Sequence, residues 1–514
     1  MDKFKKYLPQ IIWTVTVIAE IILAVSVVYL DLLPTRLFVI AGIILLLFAL
    51  LDGLLLLTRV RKVKGKKNTW KRTVGYCMSA VLILVSVIGS GYLLRARSTL
   101  DEVTDTGNVV AKLGVYVLAD NTAEELSDTS DYQYGYLGTY SAERNEYAVE
   151  KINDEISASI NAREEANIYE LAEALYSGTD QAIILDEAFV SVLTDVETDT
   201  EETEESSVDT SKYQGFETDT KLLYEIEIID EEDDSASEKD VTKDTFVVYV
   251  SGSDTRNTKL TTSRSDVNIL LEVNPSTHEI LMLNTPRDYY VPNPAGGGAN
   301  DKLTHCGIYG IENSMEALSD LYGVDVDYYV QINFSGFENL IDAIGGITVE
   351  SEYSFSSYIY GGTYHYTKGS NTLNGASALA FARERYEVPG GDETRGKHQM
   401  AVIQAVIDKM TSSTTMLSNY SDLMSSLEGM FVTSLSSSEI SSLVKMQLND
   451  NPSWNIHTFA VSGTGGKSTT YSNPSQKSYV MYPDEDMVSF ASSLLEAVKN
   501  GETLTDESVT YTSE

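Results

Sequence analysis

Cysteine is nearly missing from this chain: Cys77 and Cys306 are the only two among 514 residues. The first falls inside an apolar run and the second stands alone in the long C-terminal region, so no intramolecular disulfide holds that region together. Histidine is also sparse, with five residues, and neither His305 nor His365 has a partner at zinc-ligand spacing. Positive charge is in short supply. The chain has 37 Lys and Arg against 76 Asp and Glu, and residues 95–514 hold 25 against 72. Such a surface repels nucleic acid and excludes it as a partner. Two further motifs are missing where a quick scan suggests them. Gly463-Thr464-Gly465-Gly466-Lys467-Ser468 resembles a phosphate loop, but the glycine that motif needs five places before Gly466 is Val461. It reads as a flexible surface turn, and Ala295-Gly296-Gly297-Gly298 lacks the Lys-Ser/Thr altogether. The acidic runs 194–210 and 230–240 lack the ligand spacing and central glycine of a calcium loop, and read as solvated loops.

Long apolar runs, by contrast, are plentiful at the start. Residues 11–30, 37–57 and 74–94 each approach the roughly 20 residues a helix needs to cross a bilayer. Lys3, Lys5 and Lys6 precede the first run. Arg59, Arg61, Lys62, Lys64, Lys66, Lys67, Lys71 and Arg72 fill the loop between the second and third. The excess of basic residues on these two segments predicts a multi-pass cell-membrane protein of three spans. Its N-terminus and the 59–72 loop are cytoplasmic and everything after residue 94 is extracellular. The basic loop then faces anionic lipid. A cleaved signal peptide is the alternative for the first run, but the second follows it closely.

The external region divides by texture. After the membrane domain, 1–97, residues 98–240 predict an accessory α/β domain: strands at 111–118, 181–185 and 222–229, helices at 165–176 and 186–193, and the acidic loops between. Residues 241–500 predict a second α/β domain. Its strands fall at 246–250, 267–273, 279–284, 328–332 and 347–350, and its helices at 311–322, 337–344 and 397–410, with 379–385 extended. Alternating strands and helices imply an α-β-α layered domain around a central mixed sheet. Residues 501–514 read as a disordered tail.

Arginine, scarce in the external region, clusters there in four places: Arg264-Ser265-Asp266, Pro286-Arg287-Asp288, Arg383-Glu384-Arg385 and Gly391-Asp392-Glu393-Thr394-Arg395, the last followed by His398-Gln399. Guanidinium groups repel one another unless an anion lies between them, and their planar fork suits phosphate. In an extended segment Arg383 and Arg385 point to one side. A strand edge with surface ion pairs to Glu384 or Glu387 is the plainer alternative. Arg395 and Gln399, four apart at a helix start, share one face near the favourable end of the helix dipole. A capping or surface arginine is the alternative there. Asp254, in Ser253-Asp254-Thr255, reads on its own as a turn residue.

From residue 245 to 409, and less distinctly to 498, the chain resembles the LytR-CpsA-Psr family. The motifs run in order: Arg264-Ser265-Asp266, Thr285-Pro286-Arg287-Asp288, Asp327-Tyr328-Tyr329-Val330 with Asn333-Phe334, Gly345-Gly346-Ile347-Thr348-Val349, Leu373-Asn374-Gly375, the Arg-x-Arg pair, and Gly391-Asp392 with Arg395 and Gln399. Three spans and an accessory domain look like the capsule-type CpsA branch. The resemblance implies a magnesium-dependent phosphotransferase on the outer membrane face. It would move a capsular or teichoic-acid-like glycopolymer from a polyprenyl-pyrophosphate carrier to the C6 hydroxyl of peptidoglycan N-acetylmuramic acid, forming a phosphodiester. Lipid bilayer, peptidoglycan and capsule biosynthesis proteins are the implied partners. Asp254 and Asp266 match the family's metal ligands. Arg264, Arg287, Arg383, Arg385, Arg395 and Gln399 match its pyrophosphate contacts, with Asp266, Arg287 and Arg385 as catalytic residues. An aspartate such as Asp266 or Asp254 is the candidate base, while Asp288 and Asp392 are candidates to orient a neighbouring arginine. His398 stands where many relatives carry another arginine, so a contact is lost there or passes to Lys397. A pyrophosphatase with water as acceptor, and a non-catalytic surface sensor or assembly scaffold, are the competing expectations.

Overall fold

Length and apolarity decide the first hundred residues. In the computed structural model three helices form there, α1 (Asp2–Leu30), α2 (Thr35–Leu57) and α3 (Trp70–Val103), each long and apolar enough to cross a membrane. The structure describes residues 2–58, 62–63, 66–67, 70–104, 110–194, 210–229, 239–253, 255, 259–359, 362–412, 426–427 and 429–512. Two compact units result, one of Met1–Glu102, Met410–Ser426 and Ser436–Pro452, the other of Val103–Lys409, Leu427–Leu435 and Ser453–Glu514.

In the first unit a glycine lets α1 and α2 approach. A Cβ on Gly53 would sit 2.9 Å from the Trp13 indole nitrogen, which itself donates to the Ala49 carbonyl at 3.0 Å. Ser79 of α3 donates to the buried Asp52 of α2 at 2.7 Å, giving a carboxyl inside an apolar bundle a partner. The helix Ser437–Asp450 belongs to this unit although it lies far along the sequence. Val444 shares a cluster with Leu30, Leu32 and Ala96, and Lys445 pairs with Asp31 at 2.7 Å.

The second unit holds two large sheets, of five and six strands, besides two-stranded ribbons. The first contains β1 (Val110–Leu118), β2 (Gln133–Leu137), β3 (Asn161–Glu165), β4 (Ala182–Asp186) and β5 (Thr220–Ile229) in the order β3-β2-β4-β1-β5. Strands β2–β3 and β2–β4 are parallel; β1 is antiparallel to β4 and β5. Helices α4 (Ala142–Ile156), α5 (Ile168–Tyr176) and α6 (Glu187–Thr194) accompany this sheet. The expected helix from residue 165 starts only at Ile168, because the Asn167 side chain accepts from the amides of Tyr169 and Glu170 and fixes the N-terminus there. Strands β2 and β3 went unforeseen. Asn161-Ala162-Arg163-Glu164-Glu165 is a polar edge with no apolar alternation to betray it.

The second sheet is mixed, in the order β10-β9-β6-β7-β8-β11, from β6 (Phe246–Ser253), β7 (Ser265–Asn274), β8 (Glu279–Asn284), β9 (Tyr328–Asn333), β10 (Phe431–Thr433) and β11 (Asn455–Ala460). Neighbours β6–β9 and β8–β11 are parallel and the other pairs antiparallel. Around it lie α7 (Ile311–Tyr322), α8 (Phe334–Ala343), α9 (Gly375–Arg383), α10 (Asp392–Thr411) and α11 (Glu485–Lys499). Tyr249, Leu270, Leu281 and Leu283 of the sheet bury against Leu318 of α7 and Leu495 of α11 in one core. The two α/β folds are contiguous: Ile308, from the second, is buried in the cluster around Phe189 and Leu171 of the first.

Two expectations fail here. Residues 463–468 are a strand rather than a flexible turn, paired antiparallel with Ser478–Pro483; their glycines leave room for the rings of Tyr479 and Tyr482. Residues 501–512 are not loose. Leu504 is buried in the main core and the Tyr511 ring lies 5.5 Å from Phe490.

Candidate active site

The arginine motifs meet at one end of the second sheet, and hydroxyl and amide side chains set the frame. At the end of β6, Ser253 is 2.6 Å from Ser263, and Ser251 is 2.8 Å from Ser265. These bonds seat Arg264 and the first turn of β7 against their neighbour. Asn268 accepts from the Tyr249 hydroxyl at 2.7 Å and its own carbonyl accepts from Thr285 at 2.9 Å. This fixes the turn Thr285-Pro286-Arg287-Asp288 after β8. The third contributor is α10. A Cβ on Gly396 would lie 2.4 Å from the Asn284 amide nitrogen, so only glycine lets the helix settle onto the end of β8. Just before it, Gly390 and Gly391 hold φ of 81° and 52°, the left-handed region that favours glycine.

Arg264, Arg287 and Arg395 thus come from three separate segments and act together on Asp266. Arg287 Nη1 donates to Asp266 Oδ1 at 2.9 Å. Burial pushes the Asp266 carboxyl up, but the charges of Arg287, Arg264 and Arg395 outweigh it and hold the group well below the usual carboxylate range. Asp288 follows the same logic. Burial opposes its charge, yet Arg287, Lys302, Arg395 and His305 keep it lowered; Arg287 lies at 3.5 Å and Lys302 at 3.4 Å. Arg395 pairs with Asp392. Asp288 and Asp392 therefore orient basic groups.

Arg383 and Arg385 are arranged differently from the expectation. Residues 379–383 are helical, not extended. Asn374 caps α9 in a reciprocal box with Ser377, and the run Gly375-Ala376-Ser377-Ala378-Leu379-Ala380-Phe381-Ala382 offers alanines of high helix propensity and no β-branched residue. The two arginines consequently do not share one side of a strand. Arg383 ends α9 with its guanidinium 4.1 Å from the Phe334 ring centroid. Arg385 lies in the following turn, donating to the Tyr386 hydroxyl at 2.6 Å. Glu384 is not spent on either arginine, since its carboxylate accepts from the amides of Tyr386 and Glu387 at 2.8 and 3.0 Å.

Beside the arginines lies an apolar cavity of about 80 Å³ between the sheet and helices α8, α9 and α10. Val250, Val267, Ile332, Phe337, Leu379 and Ile403 help line it, and Arg383 and Gln399 are the polar residues at its wall together with Asn333. Gln399 stands one turn from Arg395 on α10, as their spacing predicts, and links the charged cluster to this cavity.

Among the described residues His398 pairs with no member of the arginine cluster. It stacks 4.0 Å from Phe381, its Nδ1 lies 3.2 Å from the Phe381 carbonyl, and burial lowers its pKa to about 4. Lys397 is paired with Glu393 at 2.8 Å, with half of its side chain exposed. His305 bonds Asp301 at 2.8 Å. Lys302 is a member of the charged cluster that the sequence did not announce. Asn300-Asp301-Lys302 reads as an ordinary polar run, and only the pairing of Ala299–Lys302 with Tyr290–Asn293 carries the lysine to Asp288.

Asp254 lies outside the described residues. Ser253, before it, is partnered with Ser265, the residue before Asp266. Among the described residues no three His, Cys, Asp or Glu side chains gather as a metal cluster. An ionised Asp266 beside arginines does supply the oxygen chemistry a hard cation requires.

Comparisons with known proteins follow this geometry. The model of the LytR_cpsA_psr family matches residues 202–487. The chain is 39% identical over 168 residues to the polyisoprenyl-teichoic acid–peptidoglycan teichoic acid transferase TagU of Bacillus subtilis, covering 32% of this chain and 53% of that protein. It is 32% identical over 187 residues to the protein of the same name from Bacillus cereus, covering 36% and 60%. The chain thus spans between half and two thirds of the length of these curated relatives. The crystal structure of B. subtilis TagV aligns with a TM-score of 0.42 at 25% identity, covering 51% of this chain and 99% of that one.

Proposed function

Because the chain belongs to the LytR_cpsA_psr family, we propose that it transfers a glycopolymer from a polyprenyl-pyrophosphate carrier to a peptidoglycan hydroxyl. The observation that carries this reading is the meeting of Arg264, Arg287 and Arg395 around Asp266 beside an apolar cavity bordered by Arg383 and Gln399. Pyrophosphate suits the first part, and the carrier's first isoprene unit suits the apolar lining of the second. The relatives' names supply the reaction class: teichoic acid, a polyisoprenyl carrier and peptidoglycan. The three apolar helices and the accessory sheet support the capsule-type branch, so capsular polysaccharide and teichoic-acid-like polymer are both donors to test. The basic N-terminus and 59–72 loop place both on the cytoplasmic side in this reading, with the site outside.

The C6 hydroxyl of N-acetylmuramic acid attacks the phosphorus next to the glycan. A new phosphorus–oxygen bond forms, the bridging bond breaks, and polyprenyl phosphate leaves with that bond's electrons while the hydroxyl proton passes to water. Arg264, Arg287 and Arg395 hold the phosphates and meet the charge that grows on the bridging and leaving oxygens. Arg383, at the cavity wall, and Arg385, just after α9, add further phosphate contacts. Asp266 is held ionised at low pKa, which makes it a weak base; its work is to fix Arg287. Asp254 and Asp266 would hold magnesium, which when bound supplies Lewis-acid stabilisation of phosphoryl oxygens.

The test uses the full chain in detergent with a lipid-linked pyrophosphate oligosaccharide, magnesium and a peptidoglycan fragment. A covalent glycan–peptidoglycan product, abolished in Asp266→Ala and Arg385→Ala, is expected. Phosphorylated glycan released to water alone would assign a pyrophosphatase. Turnover of neither kind would overturn the enzymatic reading in favour of a scaffold.

A further inference from the structure

Between the two α/β folds runs a second cleft, of about 370 Å³, within the range of roughly 300–1,000 Å³ common for small-ligand sites. From the accessory side it is lined by Tyr116 of β1, Glu187 and Ser191 of α6, and Glu217. From the other side come Thr262 and Ser263. Its chemistry is the reverse of the arginine cluster. No Lys, Arg or His lines it among the described residues, and hydroxyls and carboxylates dominate its polar groups. That composition refuses a phosphate-rich segment and accepts an uncharged ligand with many O–H and N–H donors. The Tyr116 ring, 5.5 Å from Phe216, adds an apolar surface on which a flat ring can rest. One group there is unused. The Thr262 hydroxyl is buried, with the residue 4% exposed, and has no hydrogen-bond partner among the described residues. A buried hydroxyl left so costs free energy that a ligand can return.

Position tells what the ligand is attached to. Ser263 lines the cleft and is bonded to the next residue, Arg264, of the charged cluster. Ser263 is also 2.6 Å from Ser253, while Gly252, one residue earlier on β6, lines the apolar cavity. The end of β6 therefore has the apolar cavity along one flank and the polar cleft along the other, with Arg264 and Asp266 beside it. A linear donor with lipid at one end, pyrophosphate in the middle and sugars at the other has the same order of parts.

Resting on the function proposed above, we infer that the cleft between the accessory fold and residues 262–263 binds the first uncharged sugars of the donor's glycan, and that Tyr116, Glu187 and Glu217 make the accessory fold the reader of the polymer. Glycan strands of the acceptor share this chemistry, and the test separates the two sources.

Three probes are used: polyprenyl pyrophosphate carrying one N-acetylglucosamine, the same carrier with a β-1,4-linked N-acetylglucosamine tetrasaccharide, and that tetrasaccharide free. Their binding to the full chain in detergent is measured without acceptor, so the result does not depend on catalysis. The longer glycan is expected to bind about tenfold more tightly, as one or two added hydrogen bonds imply. Tyr116→Leu, which removes the ring face, and the double variant Glu187→Gln/Glu217→Gln should erase that advantage and leave the monosaccharide carrier's affinity unchanged. Both glutamates are exposed, so their replacement spares the fold. Equal binding of the two carrier-linked probes to the parent chain, or an advantage that survives in both variants, overturns the inference. Free tetrasaccharide without carrier that binds as tightly as the long donor, with the same dependence on Tyr116, assigns the cleft to the acceptor strand and also overturns it. Loss of transfer with this binding pattern intact would instead count against the reaction proposed above.

Discussion

Asp186, buried, and Asp266, partly buried, are aspartates at strand ends of mixed sheets flanked by helices, and their surroundings drive them in opposite directions. Asp186 closes β4 of the accessory sheet, accepting from the Tyr140 hydroxyl and the Ala188 amide, with Arg144 held one step away by its own bond to Tyr140 at 2.6 Å. Burial dominates and pushes its carboxyl up to about 6, against the pull of Tyr140, Ala188 and Arg144. Asp266 bonds Arg287 and feels the charges of Arg264 and Arg395, and there the charges win. One sheet satisfies its acid internally with neutral donors. The other gathers Arg264, Arg287, Lys302 and Arg395 around Asp266, Asp288 and Asp392, one positive charge in excess, which favours an anionic ligand. The two folds differ less in architecture than in how many cations reach one strand end.

The contrast breaks most severely if a cation or its acid is removed from the second sheet. Asp266→Asn or Arg287→Ala is expected to lower transfer by about 10²–10³-fold, the effect of losing one preorganised charge-stabilising group, measured as initial rate with lipid-linked donor and peptidoglycan fragment. Retention of activity within a few-fold in both would show that the cluster is structural.

Next is the pH dependence of the accessory sheet. Because the folded pKa of Asp186 is raised, its contribution is fully present below the unfolded value of 3.8 and is lost as pH rises through about 6. A shift of roughly two units corresponds to about 3 kcal/mol. Urea unfolding of the parent chain should therefore weaken between pH 4 and 7.5 relative to Asp186→Asn, in which no charge can form. Parallel pH profiles for the two proteins would remove the contrast with Asp266.

A smaller effect is expected at the seat of α10. Gly396→Ala places a methyl 2.4 Å from the Asn284 side chain, so helix or strand end must shift at a cost of about 1–3 kcal/mol. A fall in melting temperature together with weaker donor binding checks it. Smallest of all is Lys397→Ala. Its ammonium is paired with Glu393 and half exposed, and surface pairs contribute about 0–1 kcal/mol. Transfer should stay within twofold, whereas a large loss would return Lys397 to the phosphate site.

Much of this was readable before any coordinates. The three apolar helices, the accessory strands of high apolar content and the Arg-Ser-Asp and Pro-Arg-Asp turns follow from local pattern. What escaped depended on partners distant in sequence. Lys302 reaches Asp288 only through a hairpin, and His398 turns inward because Phe381 and Phe355 wait there. Arg383 and Arg385 read as alternate residues of a strand since two arginines flank a glutamate, but the cap at Asn374 and the alanines after it outweigh that three-residue cue. The strand Asn161–Glu165 escaped because a polar sheet edge carries no periodic signal. Residues 463–468 escaped because glycines that look like a turn serve to admit tyrosine rings.

The pairing of β8 with β11 has a consequence for how the chain is made. Glu279 pairs with Asn455 and Asn284 with Ala460, so the outer strand of the sheet is synthesised long after its neighbour. At roughly 5–20 residues per second the wait is on the order of ten seconds or more. Throughout it, β8, all six of its residues buried in the finished protein, presents a row of unpaired N–H and C=O groups to which any other strand could add. That edge stays open until residue 460 emerges, and a truncation before β11 would leave it open for good.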